Sequence, residues 1–249
     1  MKISEQVLNV LDQATIKEDK LFLNGQLDRK LYLDTNKVLE AAGGKWSRKE
    51  KCHIFTENIE DFIERTILTG EITRPQDFGF FETPLSVVNR LLQLAKIEPH
   101  MEVLEPSAGK GAIAREIANM TKKIDCIELL ESNCKELKKD KCYKRISNAD
   151  FLQIFPIKEY DRVIMNPPFG KQQDIKHVTH ALEFLKPDGL LVSVMSSSVT
   201  FRSNRLTVDF RDIIEARNGR IEALQENAFK SSGTMARTII VSIPGKYEN

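Results

Sequence analysis

The stretch Val163-Ile164-Met165-Asn166-Pro167-Pro168-Phe169-Gly170 decides how this chain is read. An apolar run stops at a polar residue, two prolines and an aromatic, which predicts a buried strand ending in a rigid loop. A residue before proline is pushed out of the α region, and each proline fixes φ and lacks an N–H, so the loop continues neither as helix nor as ladder. Asn166 offers an amide oxygen, Pro167 a backbone carbonyl and Phe169 a flat face, and together they suit a planar amino group. A conjugated NH2, such as the exocyclic amine of adenine, is a poor nucleophile because its lone pair is delocalised into the ring. Two acceptors on its N–H groups favour the pyramidal amine, stabilise the developing positive charge and aim the lone pair at an electrophile. Phe169 would stack on the base, as in pockets that receive an extruded base. Taken alone, the stretch also fits a plain Pro-Pro turn after a core strand.

Upstream and downstream of this loop, apolar strands alternate with helical patterns. A helix is predicted over 85–95, then strand 101–104 and helix 112–120, strand 124–127 and helix 131–139, strand 160–165 and a helix around 178–185. Pro187-Asp188-Gly189 turns into strand 190–195, a helix follows near 206–216, and strands 220–224 and 238–243 complete the series. This alternation predicts an α/β fold, a parallel sheet covered on both faces with ligands at the carboxyl ends of the strands.

At the first of those ends stands Glu105-Pro106-Ser107-Ala108-Gly109-Lys110-Gly111. A glycine loop between strand and helix is common, but here an acid precedes it, the next strand ends in Glu128, and the third strand region ends in Asn148-Ala149-Asp150-Phe151. Glu128 stands where an acid grips ribose hydroxyls, while Asp150 offers a carboxylate for an adenine amine and Phe151 an aromatic for its ring. No Lys-Ser/Thr follows the glycines, which excludes a phosphate-cradling P-loop. An acidic strand tip prefers a cation, and S-adenosylmethionine, with an α-amino group and a sulfonium, suits Glu105, Glu128 and Asp150 better than a dinucleotide does.

The first 70 residues read as a separate α+β module. Ile3, Val7, Leu8, Val10 and Leu11 recur at helical spacing behind Ser4 as a cap. Asn24-Gly25 predicts a hairpin between 21–23 and 31–33. Asp34-Thr35-Asn36 is expected to cap a short helix ending at Gly43-Gly44, followed by strand 52–55 and a helix over 58–68 closed by Gly70. Residues 45–51 carry four basic residues and one acid around Trp46, the only tryptophan. Lys45, Arg48 and Lys49 could hold phosphates while Trp46 stacks on a base, or Trp46 could cover a small core. Residues 71–84 read as a linker, giving an accessory module over 1–75 and a catalytic domain over 76–249.

Composition narrows the classes further. With 249 residues, 41% hydrophobic and a net charge of +1, the chain can bury a full core but is not basic overall. The run over 189–201 is too short to cross a membrane and is broken by serines, and the first residues lack the apolar core of a secretory signal. Cys52, Cys126, Cys134 and Cys142 show no C-x-x-C spacing, and the four histidines complete no zinc pattern, so reduced thiols, a cytoplasmic location and no metal are expected.

Thr83-Pro84 ahead of a helix, Glu105-Pro106-Ser107-Ala108-Gly109-x-Gly111, Glu128, Asp150-Phe151 and Asn166-Pro167-Pro168-Phe169 stand in the order of the class I methyltransferases that modify adenine N6. Over 77–243 the chain resembles the bacterial and phage DNA amino-methyltransferases in which the cofactor motif precedes the catalytic one. The resemblance implies a Rossmann-like, mostly parallel seven-stranded sheet and S-adenosylmethionine as cofactor. It implies that Thr83 and Pro84 lie along the methionine end, that Glu105, Pro106, Ala108, Gly109 and Gly111 shape the cofactor pocket together with Asn166, that Glu128 binds the ribose, and that Asp150 with Phe151 hold the adenine. Asn166, Pro167, Pro168 and Phe169 would form the catalytic loop. Lys110 departs from the small hydroxyl residue common at its position. Phe229, before Lys230-Ser231-Ser232-Gly233-Thr234, would pack against a flipped base or in the core.

No long recognition domain follows the last strand here, so sequence reading is expected to fall to residues 1–70, to the loop from Lys171 to Asp174 or to a partner. Adenine in structural RNA is the alternative substrate, because Gly170 follows the motif as it does in several RNA enzymes. A protein-glutamine substrate fits less well, since tyrosine usually replaces Phe169 there, and an inactive binding protein would show a broken motif.

Overall fold

The computed structural model describes residues 2–56, 59–72 and 82–246, which form two compact units. The first contains the described residues up to 72 together with Ser198–Val208, and the second the remainder.

In the first unit, α1 (Glu5–Gln13) starts at Ser4, whose hydroxyl accepts the Val7 N–H, and buries Val7, Leu8, Val10 and Leu11. A four-stranded antiparallel sheet follows, in the order β1 (Thr15–Lys17), β2 (Lys20–Phe22), β4 (Cys52–Ile54), β3 (Lys45–Ser47). Between the hairpins runs α2 (Arg29–Ala41), and α3 (Glu60–Thr69) closes the unit on left-handed Gly70. Leu8, Leu11, Leu21, Leu39, Ile63 and Ile67 belong to one buried core, against which Phe201 packs. Arg202, 1% exposed, is held between Asp12, at 3.0 Å, and Glu64, at 2.9 Å.

The hairpin expected around Asn24-Gly25 does not form. Lys20–Phe22 instead turns back onto Thr15–Lys17, and Leu31, Tyr32 and Leu33 lie inside α2. The helix starts earlier than expected because Asp28, not Asp34, caps it: its carboxylate accepts the N–H groups of Lys30 and Leu31. Thr35, Val38 and Leu39 then fall on the buried side at helical spacing. Gly44 has to be glycine, since a Cβ there would stand 2.7 Å from the Phe55 ring and 2.8 Å from the Leu39 carbonyl. The predicted strand at 52–55 and the helix end at Gly70 are observed. Asn58 and most of the expected linker lie outside the described residues.

The second unit is a seven-stranded sheet in the order β10 (Arg220–Ala223), β11 (Thr238–Pro244), β9 (Leu185–Ser196), β8 (Tyr160–Met165), β5 (Val103–Glu105), β6 (Ile124–Glu128), β7 (Arg145–Asn148). From β9 to β7 the neighbours are parallel, and β11 is antiparallel to both β9 and β10. The intervening helices are α4 (Leu85–Ala95), α5 (Ala112–Ala118), α6 (Glu131–Asp140) and α7 (Gln173–Ala181), with α8 (Arg205–Ala216) after β9. Val163, Ile164 and Met165 are fully buried, which explains their unbroken apolar run: a parallel strand is covered on both faces.

This is the Rossmann-like methyltransferase fold expected from the sequence. Several boundaries move by one to five residues, most at the starts of α7 and β9. Helix α7 begins at Gln173 rather than near 178, and β9 begins at Leu185 because residues 186–189 bulge between the pairs Tyr160–Leu185 and Arg162–Leu190. Among the described residues no helix is long and apolar enough to cross a membrane.

Candidate active site

From β5 the chain runs outward through β6 and β7 and then returns to β8 on the other side of β5. Open α/β sheets bind ligands at the carboxyl ends of the strands beside such a reversal. The tips there carry Glu105 on β5, Glu128 on β6, Asp150 just beyond β7 and Asn166 just beyond β8.

Glu105 is buried, receives the backbone N–H of Ala114 in α5, and has one oxygen, Oε2, without a partner among the described residues. Burial, and then the neighbouring Glu128 carboxylate, hold its carboxyl well above the usual range. Glu128 is anchored from three sides: Oε2 accepts the Gly109 N–H at 2.8 Å, and Oε1 accepts the Leu130 N–H at 2.8 Å and the Asn133 amide at 3.3 Å. A carboxylate has about four acceptor positions, so Glu128 retains capacity for a further donor. An unused buried carboxyl oxygen beside a second carboxylate fits a cation, and the residues present therefore fit the charged methionine end of S-adenosylmethionine.

The glycine loop is held against the tip of β6. Ala108 donates its N–H to the Ile127 carbonyl at 3.0 Å, and Gly109 and Gly111 both have left-handed φ, at 55° and 91°. At Gly111 the requirement is packing as well as backbone, because a Cβ would stand 2.9 Å from Leu137 Cδ2 and 3.0 Å from Tyr143 Oη. Pro106 is buried and Lys110 is exposed. A cavity of 620 Å³ is lined by Glu82, Thr83, Pro84, Lys110, Arg115 and Ser232 among others, and a second of 440 Å³ shares Glu82, Lys110 and Arg115 and reaches Asn133. Open space thus runs along the glycine loop, from Thr83 to the residue that steadies Glu128, and Glu105 is buried outside its lining.

Asp150 caps a short 3-10 turn by accepting the Leu152 N–H at 3.0 Å. Phe151 is buried, with its ring 4.8 Å from His180, 5.1 Å from Phe184 and 5.9 Å from His177 between centroids. His177 is a neutral imidazole over a wider pH range than usual, because burial pushes its pKa down.

The loop after β8 holds the decisive contact. Asn166 Nδ2 donates to Thr83 Oγ1 at 3.0 Å, and Thr83 is 7% exposed. Asn166 Oδ1 is buried and has no partner among the described residues. With the amide donating to the Thr83 hydroxyl, its oxygen is left as an unused acceptor. Pro167 is buried, Pro168 exposed, and Phe169 only 9% exposed. The chain then passes through Lys171 and Gln172, at φ 54° and 56°; left-handed backbone costs a non-glycine residue about 1–2 kcal/mol. Asp174 pins the start of α7 by accepting the Ser196 N–H at 3.0 Å.

Sequence reasoning placed Thr83 on the cofactor side and did not pair it with Asn166, from which it is separated by 83 residues. It also missed Asn133, which stands in no recognisable motif, and took Asp174 only as the end of a possible recognition loop. Phe229 is 1% exposed and packs in the core of the second unit. Lys45, Trp46, Arg48 and Lys49 belong to the first unit. Lys45 and Trp46 are consecutive in β3 and so point to opposite faces of the sheet; Trp46, 45% exposed, lies 5.1 Å from the buried His53 ring.

The fold is the Rossmann-like methyltransferase fold, with acids at its strand tips. The sequence model of the methyltransferase small domain matches residues 88–225, more than half of the chain, and the chain belongs to that family. No curated protein matches its sequence significantly. Among solved structures it is similar to the type I restriction enzyme EcoKI M protein, at 16% identity and TM-score 0.59 over 96% of this chain and 56% of that one. It is similar to a modification subunit of a putative type I restriction enzyme from Vibrio vulnificus at 13% identity and TM-score 0.59, over 96% of this chain and 61% of that one. The 23S rRNA methyltransferase ErmE matches at 21% identity and TM-score 0.51, over 68% of this chain and 71% of that one. The chain therefore spans less than two thirds of the two modification subunits, and at these identities the likeness is one of fold.

Proposed function

We propose that this chain transfers a methyl group from S-adenosylmethionine to the N6 amino group of adenine in DNA. The observation that carries the reading is the Asn166 amide, oriented by Thr83 with its oxygen unused and buried. S-adenosylmethionine supplies an electrophilic methyl on a sulfonium. Asn166 Oδ1 and the Pro167 carbonyl accept the two N–H groups of the target amine, so its lone pair stands clear of the ring and faces the methyl carbon. When bound, the cofactor would supply the methyl group to this amine with S-adenosylhomocysteine as the leaving group, and the surplus proton would pass to water, so no strong base is needed. Glu105 and Glu128 would hold the positive end of the cofactor, Glu128 also its ribose, and Asp150 with Phe151 its adenine.

The target base is extruded into the Asn166–Phe169 loop. Phe169 supports the base with the part of its ring that remains exposed, and Pro168 forms the outer lip. The type I modification subunits that share the fold favour DNA as the substrate over RNA. The test is methyl transfer by the wild type and by Asn166→Ala. The variant is expected to bind the cofactor with unchanged affinity and to lose transfer, and wild-type turnover in the variant would overturn the assignment.

A further inference from the structure

The registers of the three strand pairs in the first unit align Lys17 with Lys20, Lys20 with Ile54, and Ile54 with Lys45. Directly opposed residues point to the same face, so Lys17, Lys20 and Lys45 form one row across all four strands. The opposite face carries Ile16, Leu21, His53 and Trp46 in the next row, and Leu21, Ile16 and the three helices form the core there. The lysine row thus lies on the face turned away from that core.

Lys17 and Lys45 are exposed and Lys20 is half-buried. At the turn between β3 and β4, Arg48, Lys49 and Lys51 are exposed as well, and Glu50 reaches back to Lys20 at 2.5 Å, which brings that turn beside the row. Phe22 and Ile54, both half-buried, share the face. On the same face Cys52 is buried and Thr15 exposed, so Lys17, Lys45 and Thr15 are its most accessible residues.

Among the described residues Lys20 is ion-paired with Glu50, and the fold shows no such pairing for Lys17 and Lys45. Like charges directly opposite on neighbouring strands destabilise a sheet by about 0.2–1 kcal/mol, and the Lys17–Lys20 pair is such a case. The row and the β3–β4 turn together carry six cations, against Glu18, Asp19 and Glu50. Neighbouring strands lie about 4.8 Å apart, so the row spans roughly 14 Å, a length that faces about four phosphates along one strand of duplex DNA.

We infer that the Lys17–Lys20–Lys45 row is a docking surface for the phosphate backbone of duplex DNA, and that Trp46 lies outside it. The inference rests on the nucleic-acid reading above and adds the surface that holds the substrate. It is sequence-independent: phosphate contacts position a duplex and do not read its bases.

The test is binding of a fluorescein-labelled DNA duplex by the full chain across a salt series, comparing the wild type with Lys17→Ala/Lys45→Ala, Lys17→Arg/Lys45→Arg and Trp46→Ala. The alanine pair is expected to weaken binding by roughly tenfold and to flatten the slope of log affinity against log salt by about two. The arginine pair should keep the wild-type slope, and so should Trp46→Ala. Both lysines are exposed, so circular dichroism should show an unchanged fold. Wild-type binding with an unaltered slope in the alanine pair would overturn the surface alone. Wild-type binding to an RNA hairpin but not to the duplex, or to neither, would overturn the surface and the DNA reading together.

Discussion

Replacing Thr83 by valine removes a hydroxyl and keeps the volume, and it tests whether Thr83 acts by aiming Asn166. The Asn166 Nδ2–Thr83 Oγ1 bond is 3.0 Å long and its acceptor residue is 7% exposed, so the amide N–H left behind finds little water. An unsatisfied buried donor costs about 1–3 kcal/mol. The amide can recover part of that cost by rotating, and rotation removes Oδ1 from the position in which it would accept the substrate N–H. If the full cost appears in the transition state, turnover falls roughly five- to one-hundred-fold. The assay is single-turnover methyl transfer with saturating cofactor, alongside thermal unfolding. Thr83→Ser should restore turnover, because the hydroxyl remains. In the unfolding data Thr83→Val should cost little once Asn166 is alanine, since the two act as one contact. A folded Thr83→Val enzyme with wild-type turnover, or full additivity in that cycle, would refute the reasoning.

Gly111→Ala combines a left-handed φ with contacts to Leu137 and Tyr143 that are too short, and is expected to destabilise by about 2–5 kcal/mol, read from urea unfolding. Arg202→Ala leaves Asp12 and Glu64 without their buried partner and should cost about 3–5 kcal/mol, seen as early loss of hydrogen-exchange protection in α1 and α3. Glu105 gives a pH dependence. Its folded-state pKa is raised, so its contribution to stability is fully present below the ordinary carboxylate value and is lost as pH rises through the raised one. A bound cation favours the ionised form, so cofactor affinity should increase with pH across that same window and binding should release protons. Calorimetry with S-adenosylhomocysteine in two buffers of different ionisation enthalpy checks this, and Glu105→Gln should abolish the buffer dependence.

The second unit was legible because its strands are buried on both faces and its acids stand at strand tips, where sequence position and spatial position coincide. Val163 to Met165 illustrate the first point and Glu105 with Glu128 the second. The first unit was less so. Asn24-Gly25 looked like a hairpin turn, but the capping carboxylate of Asp28 and the helical spacing of Thr35, Val38 and Leu39 outweighed it. Register was not legible anywhere: the alignment of Lys17, Lys20 and Lys45 depends on how three short strands pair. Long-range contacts such as Thr83–Asn166 and Asp12–Arg202 leave no local pattern, and the membership of Ser198–Val208 in the first unit has no marker in its composition.

The most direct test of the central claim is transfer of labelled methyl from S-adenosylmethionine to duplex DNA, single-stranded DNA and total RNA in parallel, followed by nucleoside mass spectrometry. The account predicts N6-methyladenine in duplex DNA, absent with Asn166→Ala. Label in RNA alone, at cytosine, or in no nucleic acid while the cofactor binds would contradict it.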